Sequence, residues 1–403
     1  MKASVNIERQ SMGNESGRDV MTVTAVGARQ TTANSPLINY AVGGLRRFWL
    51  PDLRRWSSVY HLDGRESPKG SIPHNDVFYS LNVLLGMSRI RAVPRYVDIP
   101  DVFRSNADQL PRLSVRKCAW GLALWAAAKL KLDLPFGFSK MLRQLLEDRN
   151  AWRSFSGQDV GMLLSGIVAQ AMEGRTEFVH HAAPMAHFLA DSFSTENGLF
   201  CDAASGYRRR FASFATQTYL AIACYSYGEF ADDIEMIHLA NACVRRLIGL
   251  QGPQGEWPRL FDVERGEVVD FYEVYSVHQC GMAPALLEFA DRHNVEGASD
   301  ALVKGFTWVF GDNQLKRSML LPSLQMSYRS QVRRGEMHSR SWRMFRAAAN
   351  AYLGRRAQLI APAELAIRME CRSYELGWML WSFGERSDLP QLTDNLAFSR
   401  ALR

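Results

Sequence analysis

Apolar residues recur along this chain at intervals of three and four over most of its length, the spacing of helices that bury one face or more. The pattern predicts eleven helical stretches, at 77–90, 115–130, 138–146, 159–172, 176–193, 213–227, 232–250, 276–292, 299–310, 341–353 and 363–383. Start signals fit several of them: Ser114 precedes Val115, Gly157-Gln158-Asp159 opens the fourth, and Ser299-Asp300 opens the ninth. Strand-like alternation is almost absent. Residues 267–270 can pair with 260–263 as a hairpin, because Glu264-Arg265-Gly266 reads as a turn.

From residue 159 the stretches fall into hairpins with one short and one long connection. The long connections are 60–76, 196–212, 251–276 and 311–340. A weak repeat overlies them: Gly198-Leu199-Phe200, Gly255-Glu256-Trp257 and Phe310-Gly311-Asp312 each follow a helix, roughly 55 residues apart. Long connections at one end of successive hairpins predict an all-α closed ring with its long loops gathered on one face; an open solenoid is the alternative. Residues 1–36, rich in Ser, Thr, Asn and Gly, are expected to be a disordered or loosely attached arm. Residues 37–390 form a single helical domain in this reading, and 391–403 a C-terminal tail.

Composition narrows the class. The chain has 403 residues, 47% hydrophobic and 22% charged, as in ordinary globular proteins. None of its six cysteines stands in a metal-binding spacing, which fits a reducing compartment. The N-terminus lacks the apolar core of a signal peptide, and the longest apolar run, 118–128, is too short to span a bilayer. A cytoplasmic protein without a transmembrane segment is expected. A net charge of +7 allows an anionic partner or simply a solvated basic surface. No lysine-rich tail or nucleic-acid motif is present, so no nucleic-acid partner is expected. No phosphate loop, zinc motif or nucleophile elbow is found, so neither metal nor cofactor is expected. The sequence leaves the oligomeric state open.

The long loops end in polar-aromatic clusters at helix N-termini, where anions are favoured. The first runs from His74 through Asp76 to Tyr79. The second runs from Tyr207 and Arg208 to Gln217, the third from Tyr272 and Glu273 to Gln279, and the fourth from Arg333 through Arg340 to Trp342. Tyr275 and His278 stand three apart and can meet on one helical face, so the pair can move a proton beside a carboxylate. Glu256, Glu273, Asp76 and Asp202 are candidate carboxylates for glycosyl transfer to water, which needs two such groups flanking the bond. Trp257 suits a stacking platform, or a plug that holds its loop. Tyr272, Gln279, His74, Tyr207, Gln217 and Trp342 are further candidate substrate contacts. Arg208 and Arg340 are candidates to neutralise an anionic group. The bland account of each is a cap, a core aromatic or a solvated charge.

Such a ring resembles the (α/α)6-barrel, or α/α-toroid, enzymes. Asn197-Gly198-Leu199-Phe200 and Gly255-Glu256-Trp257-Pro258 with its Asp-bearing hairpin are similar to loops of the carbohydrate-active members. Gln251 to Trp257 looks like the Gln-(x)n-Gly-x-Trp element of terpenoid cyclases and prenyltransferases, but it occurs once. No Asp-x-Asp-Asp motif accompanies it, and Asp232-Asp233-Ile234-Glu235-Met236 lacks the final acid of an Asp-rich metal motif. The resemblance implies an enzyme acting on a carbohydrate, an acidic saccharide included, with hydrolase, lyase and epimerase left open. The partner implied is an oligosaccharide or other small-molecule substrate. A terpenoid cyclase or prenyl-group transferase using the same cavity is the alternative, and a non-catalytic helical scaffold a third reading.

Overall fold

The computed structural model describes residues 34–66, 72–113, 116–335, 340–354 and 357–399. The chain divides into Met1–Thr32 and Ala33–Arg403, and every described residue belongs to the second unit. The arm expected at 1–36 therefore lies almost wholly outside the described residues.

The helices are α1 (Pro36–Arg46), α2 (Pro73–Met87), α3 (Ile99–Ala107), α4 (Cys118–Leu130), α5 (Phe136–Glu147), α6 (Gly157–Met172), α7 (Ala182–Phe193), the short α8 (Tyr207–Arg210), α9 (Phe214–Ala231), α10 (Ile234–Leu250), α11 (Ala283–Arg292), α12 (Ala298–Phe310), α13 (Arg340–Tyr352), α14 (Ser373–Phe383) and the short α15 (Pro390–Thr393) and α16 (Leu396–Ser399). Among the described residues, α2, α4, α6, α9, α11 and α14 each pack on the next, and α14 returns to α2, closing an inner ring of six. The outer layer comprises α1, α3, α5, α7, α10 and α12. This is the (α/α)6 toroid.

Inner helices are apolar on all sides because both faces are covered. In α4 every residue from Cys118 to Ala128 is buried. Closing the ring brings inner backbones into contact, and glycine permits this: a Cβ on Gly121 would stand 2.2 Å from the Met162 carbonyl carbon of α6. Outer helices keep the amphipathic pattern, as in α5, where Phe138, Leu142 and Leu146 face inward and Phe138 stacks on Trp120 at 4.9 Å.

Connections from inner to outer helices are mostly short. Those from outer to inner helices are long on four sides, and the long loops are tied together by short antiparallel strands. Phe211–Ser213 pairs with Leu260–Asp262, which pairs with Glu267–Asp270 as the turn chemistry predicts. Val274–Tyr275 and Leu365–Arg368 flank Ser330–Arg333, and Glu370–Cys371 joins Tyr60–His61. These strands are pieces of two to four residues, too short to show alternation, so the chain stays all-α with little sheet, as expected. The repeat has a structural counterpart in Gly198, Gly255 and Gly311, which take φ of +81°, +91° and +129° in the turns after α7, α10 and α12.

Several boundaries change. Residues 363–372, expected in a helix, are a 3-10 turn and two strands, and α14 begins only at Ser373. The stretch from 276 opens with a π-helical turn over 278–282. Helices α1 and α3 were not expected; α1 is started by Ser35 and Pro36 at the edge of the polar arm, and α3 has only nine residues. Beyond 390, where the sequence suggested a tail, α15 and α16 pack on α1 with Phe398 buried. Ser114 lies outside the described residues, and the start near Ser299 falls at Ala298. All six cysteines are buried and free, and no described helix is long and apolar enough to cross a membrane.

Candidate active site

The stitched loops and the N-terminal ends of the inner helices enclose a cavity of about 300 Å³ at the ring mouth. The strand Val274–Tyr275 presents Tyr275, and the π-helical turn behind it presents His278. The segment between strands at 328–330 supplies Arg329, and the two strands before α14 supply Arg368, Glu370 and Arg372. Gln158 of α6 and Tyr374 of α14 complete the wall with Arg259 and Glu273.

Tyr275 is the hub. Its hydroxyl donates to Glu273 Oε2 at 3.0 Å and accepts from Arg259 Nη1 at 3.2 Å. The Arg259 and Arg329 guanidiniums lie 5.6 Å and 5.1 Å from its ring centre. Glu273 is 2% exposed and also takes the Ser330 hydroxyl, while Arg368 Nε lies 2.7 Å from Oε1. A carboxylate so held orients the groups around it. Glu370 is paired with Arg329 at 3.2 Å and Arg372 at 2.9 Å.

His278 packs against Phe214 at 4.8 Å and Tyr275 at 5.1 Å, and its Nδ1 makes no hydrogen bond. Burial, reinforced by Arg259 and Arg329, lowers its pKa from 6.5 to about 3, so the imidazole is neutral at pH 7. Glu375, in the first turn of α14 beneath Arg329, is pushed the other way. Burial raises its pKa to about 8 against the pull of Arg329 and Arg372, which keeps it mostly protonated at neutral pH. With Glu375 uncharged, four arginines face two carboxylates around the cavity, and the site carries excess positive charge.

Of the residues singled out from sequence, Tyr275, His278 and Glu273 meet in this cavity. Asp202, Tyr207 and Arg208 line an adjoining cleft, where Asp202 accepts from the Thr216 hydroxyl and pairs with Arg208. The others lie elsewhere or outside what the structure describes. Asp76 is buried and holds Ser58 N at 2.7 Å and Ile72 N at 2.8 Å. Glu256 is buried in its own loop, accepting from Gln254 N. Trp257 is 1% exposed and packs on Phe214, the plug of the two roles considered. Gln279 bridges Trp257 N and the Tyr275 carbonyl, and Gln217 bridges both backbone groups of Phe200. Tyr272 is buried with Arg333 over its ring at 5.0 Å. His74 is exposed at the start of α2 and lines neither space. Arg340 and Trp342 fall in α13, but their side chains lie outside what the structure describes. Among the described residues the arginines at the cavity are Arg259, Arg329, Arg368 and Arg372, while Arg208 lines the adjoining cleft.

Sequence reading missed Arg329, Arg368, Glu370, Arg372, Tyr374 and Glu375. A signal for three of them was present: Arg368, Glu370 and Arg372 alternate, as strand residues facing one side do, just before the Ser373 start of α14. Assigning 363–383 to one helix hid it.

No protein-family profile and no curated protein sequence matches this chain. Solved structures do share its fold. Cellobiose 2-epimerase from Bacillus thermoamylovorans B4167 superposes with a TM-score of 0.59 at 9% identity, over 87% of this chain and 99% of that one. A polysaccharide lyase gives 0.56 at 10% identity, over 87% and 96%. Unsaturated glucuronyl hydrolase from Bacillus sp. GL1, responsible for degradation of glycosaminoglycan, gives 0.52 at 12% identity, over 90% and 96%. The likeness establishes the (α/α)6 toroid fold, a scaffold on which chemistry varies with the loops.

Proposed function

We propose that the chain is a carbohydrate-active enzyme that moves a proton at the carbon beside a uronate carboxylate, as a lyase or an epimerase does. One observation carries this: four guanidiniums converge on Tyr275 and His278 in a single cavity. Guanidiniums match a carboxylate in charge and fork geometry. They also stabilise the dianionic enediolate that forms when the adjacent carbon loses its proton.

In this reading Tyr275 takes the proton from C5 as its own hydroxyl proton passes to Glu273, with the oxygen held in place by the Arg259 hydrogen bond. The electron pair moves into the carboxylate, which Arg329 and Arg372 hold. It then returns either to expel the C4 oxygen, which takes a proton from solvent as it leaves and a C4–C5 double bond forms, or to take a proton on the opposite face. His278 is the group for that second proton. Burial is the larger cause of its low basicity and the arginines the smaller, so a uronate bound to Arg259 and Arg329 offsets only the smaller part. The likeness to an epimerase and a lyase supports the same class.

The isoprenoid alternative predicted an aromatic pocket with few charges at its base, which this cavity does not resemble. Hydrolysis has one observation in its favour: protonated Glu375 near salt-bridged Glu370 is the split acid–base pair such reactions use. Glu375, however, is fully buried and does not line the cavity. A panel of acidic and neutral oligosaccharides, with products followed by mass spectrometry, tests the proposal. Turnover of uronate-bearing members alone is the expected result, and turnover confined to neutral members overturns it.

A further inference from the structure

The cavity around Tyr275 opens sideways into a larger cleft of about 1000 Å³, and the two share Gln158, Ser213 and Arg259. Spaces of roughly 300–1,000 Å³ already take a whole drug-sized ligand. The inner cavity accommodates one sugar, and the outer cleft is far more room than the reacting residue needs.

The cleft is lined by four arginines, Arg116, Arg153, Arg208 and Arg259, against two aspartates, Asp159 and Asp202. Both aspartates are committed. Asp159 closes the capping box of α6 with Ser156 and accepts from Cys118 N at 2.7 Å, and Asp202 is held by Thr216 and Arg208. Arg116 and Arg153 are exposed, and among the described residues neither makes an ion pair. Arg116 and Arg153 therefore stand in the cleft with no ion-pair partner among the described residues.

Its far wall is α13, a helix additional to the twelve of the toroid. Phe345, Ala348 and Tyr352, spaced three and four apart, turn one face of α13 into the cleft. Phe345 and Tyr352 are each 65% exposed, and Tyr207 opposite is 71% exposed. The platform is braced: the Arg210 guanidinium lies 4.6 Å from the Tyr352 ring centre and is itself fixed by Asp262 at 2.7 Å, while Phe211 meets Tyr352 edge-on at 6.0 Å. Exposed rings facing each other across unpaired arginines suit a ligand with apolar ring faces and regularly spaced negative charges.

We infer that this cleft binds the continuation of an acidic polysaccharide chain, several sugars long, whose reacting residue sits in the inner cavity. The inference rests on the reading of the inner cavity as a uronate site, and it makes the substrate a polymer or long oligomer. Arg116 and Arg153 take carboxylates along the chain, and Tyr352, Phe345 and Tyr207 stack on its rings.

The test is a length series of oligogalacturonides from the disaccharide upward, assayed with the wild type, the Arg116→Ala/Arg153→Ala double variant and Tyr352→Ala. Near-ultraviolet circular dichroism checks that each variant is folded. The wild-type kcat/KM climbs with chain length, and in the variants the ratio of long to short substrate falls about tenfold. A wild-type kcat/KM independent of length, or a ratio unchanged in both variants, overturns the inference. If no oligogalacturonide is turned over, the same proteins are run through gels containing polygalacturonate. Retardation of the wild type that the double variant relieves keeps the cleft assignment while the catalytic reading falls. Equal mobility of all three proteins overturns the cleft assignment as well.

Discussion

Glu375→Gln should remove a pH dependence of stability that the wild-type fold carries. In the folded chain this buried carboxyl keeps its proton up to about pH 8, whereas in the unfolded chain it releases it near 4.5. Between those values the folded state binds more protons than the unfolded state, so stability is fully present below 4.5 and is lost as pH rises toward 8. At about 1.4 kcal/mol per pH unit the loss is about 3 kcal/mol by pH 7 and about 4 by pH 8, flattening above. Glutamine imitates the protonated form and can still accept from Arg329, so the variant escapes this loss. The assay is urea denaturation of both proteins at a series of pH values. Taking the difference between them cancels the other titrating groups. The variant should gain on the wild type steadily from about pH 5 to pH 8. A flat difference, or a variant that loses ground as pH rises, would refute the claim that Glu375 is neutral in the folded chain.

Three further outcomes follow from the same site. His278 has a folded pKa lowered to about 3, so the wild type loses stability as pH falls below 6.5, and His278→Gln should flatten that acid limb in the same denaturation series. Tyr275→Phe removes the hydroxyl between Arg259 and Glu273 and should cut kcat on an acidic oligosaccharide by roughly 100-fold or more. The thermal midpoint should barely move, because Ser330 and Arg368 still hold Glu273; steady-state kinetics beside a melting curve checks both halves. Trp257→Ala empties the plug against Phe214 and should cost about 3–5 kcal/mol of stability by urea denaturation, a loss well under 1 kcal/mol being inconsistent with its burial.

The ring itself was legible because inner and outer helices carry different patterns. The uninterrupted apolar run of α4 and the one-sided pattern of α5 place them in different layers. The site was half legible. Tyr275, His278 and Glu273 sit in one short, dense segment, and such density is visible in a linear sequence. Arg329 and the run from Arg368 to Tyr374 reach the same cavity through strand pairings of Ser330–Arg333 and Glu370–Cys371 with distant loops. Pairings of two to four residues leave only a faint periodic trace, here the alternation of Arg368, Glu370 and Arg372. The carboxylates Asp76 and Glu256 misled for a related reason: a buried acid that satisfies loop backbone N–H groups has the same sequence signature as one that meets a substrate.

The central claim is proton transfer at the carbon beside a uronate carboxylate, and isotope exchange tests it most directly. The full-length protein is incubated with uronate oligosaccharides in deuterated water enriched in oxygen-18, and products and recovered substrate are read by mass spectrometry and NMR. The account predicts loss of the C5 proton, seen either as deuterium at C5 or as a C4–C5 double bond, with no oxygen-18 entering the anomeric carbon beyond background. Oxygen-18 at the anomeric carbon of the product, with the C5 proton fully retained, would contradict it and transfer the site to hydrolysis.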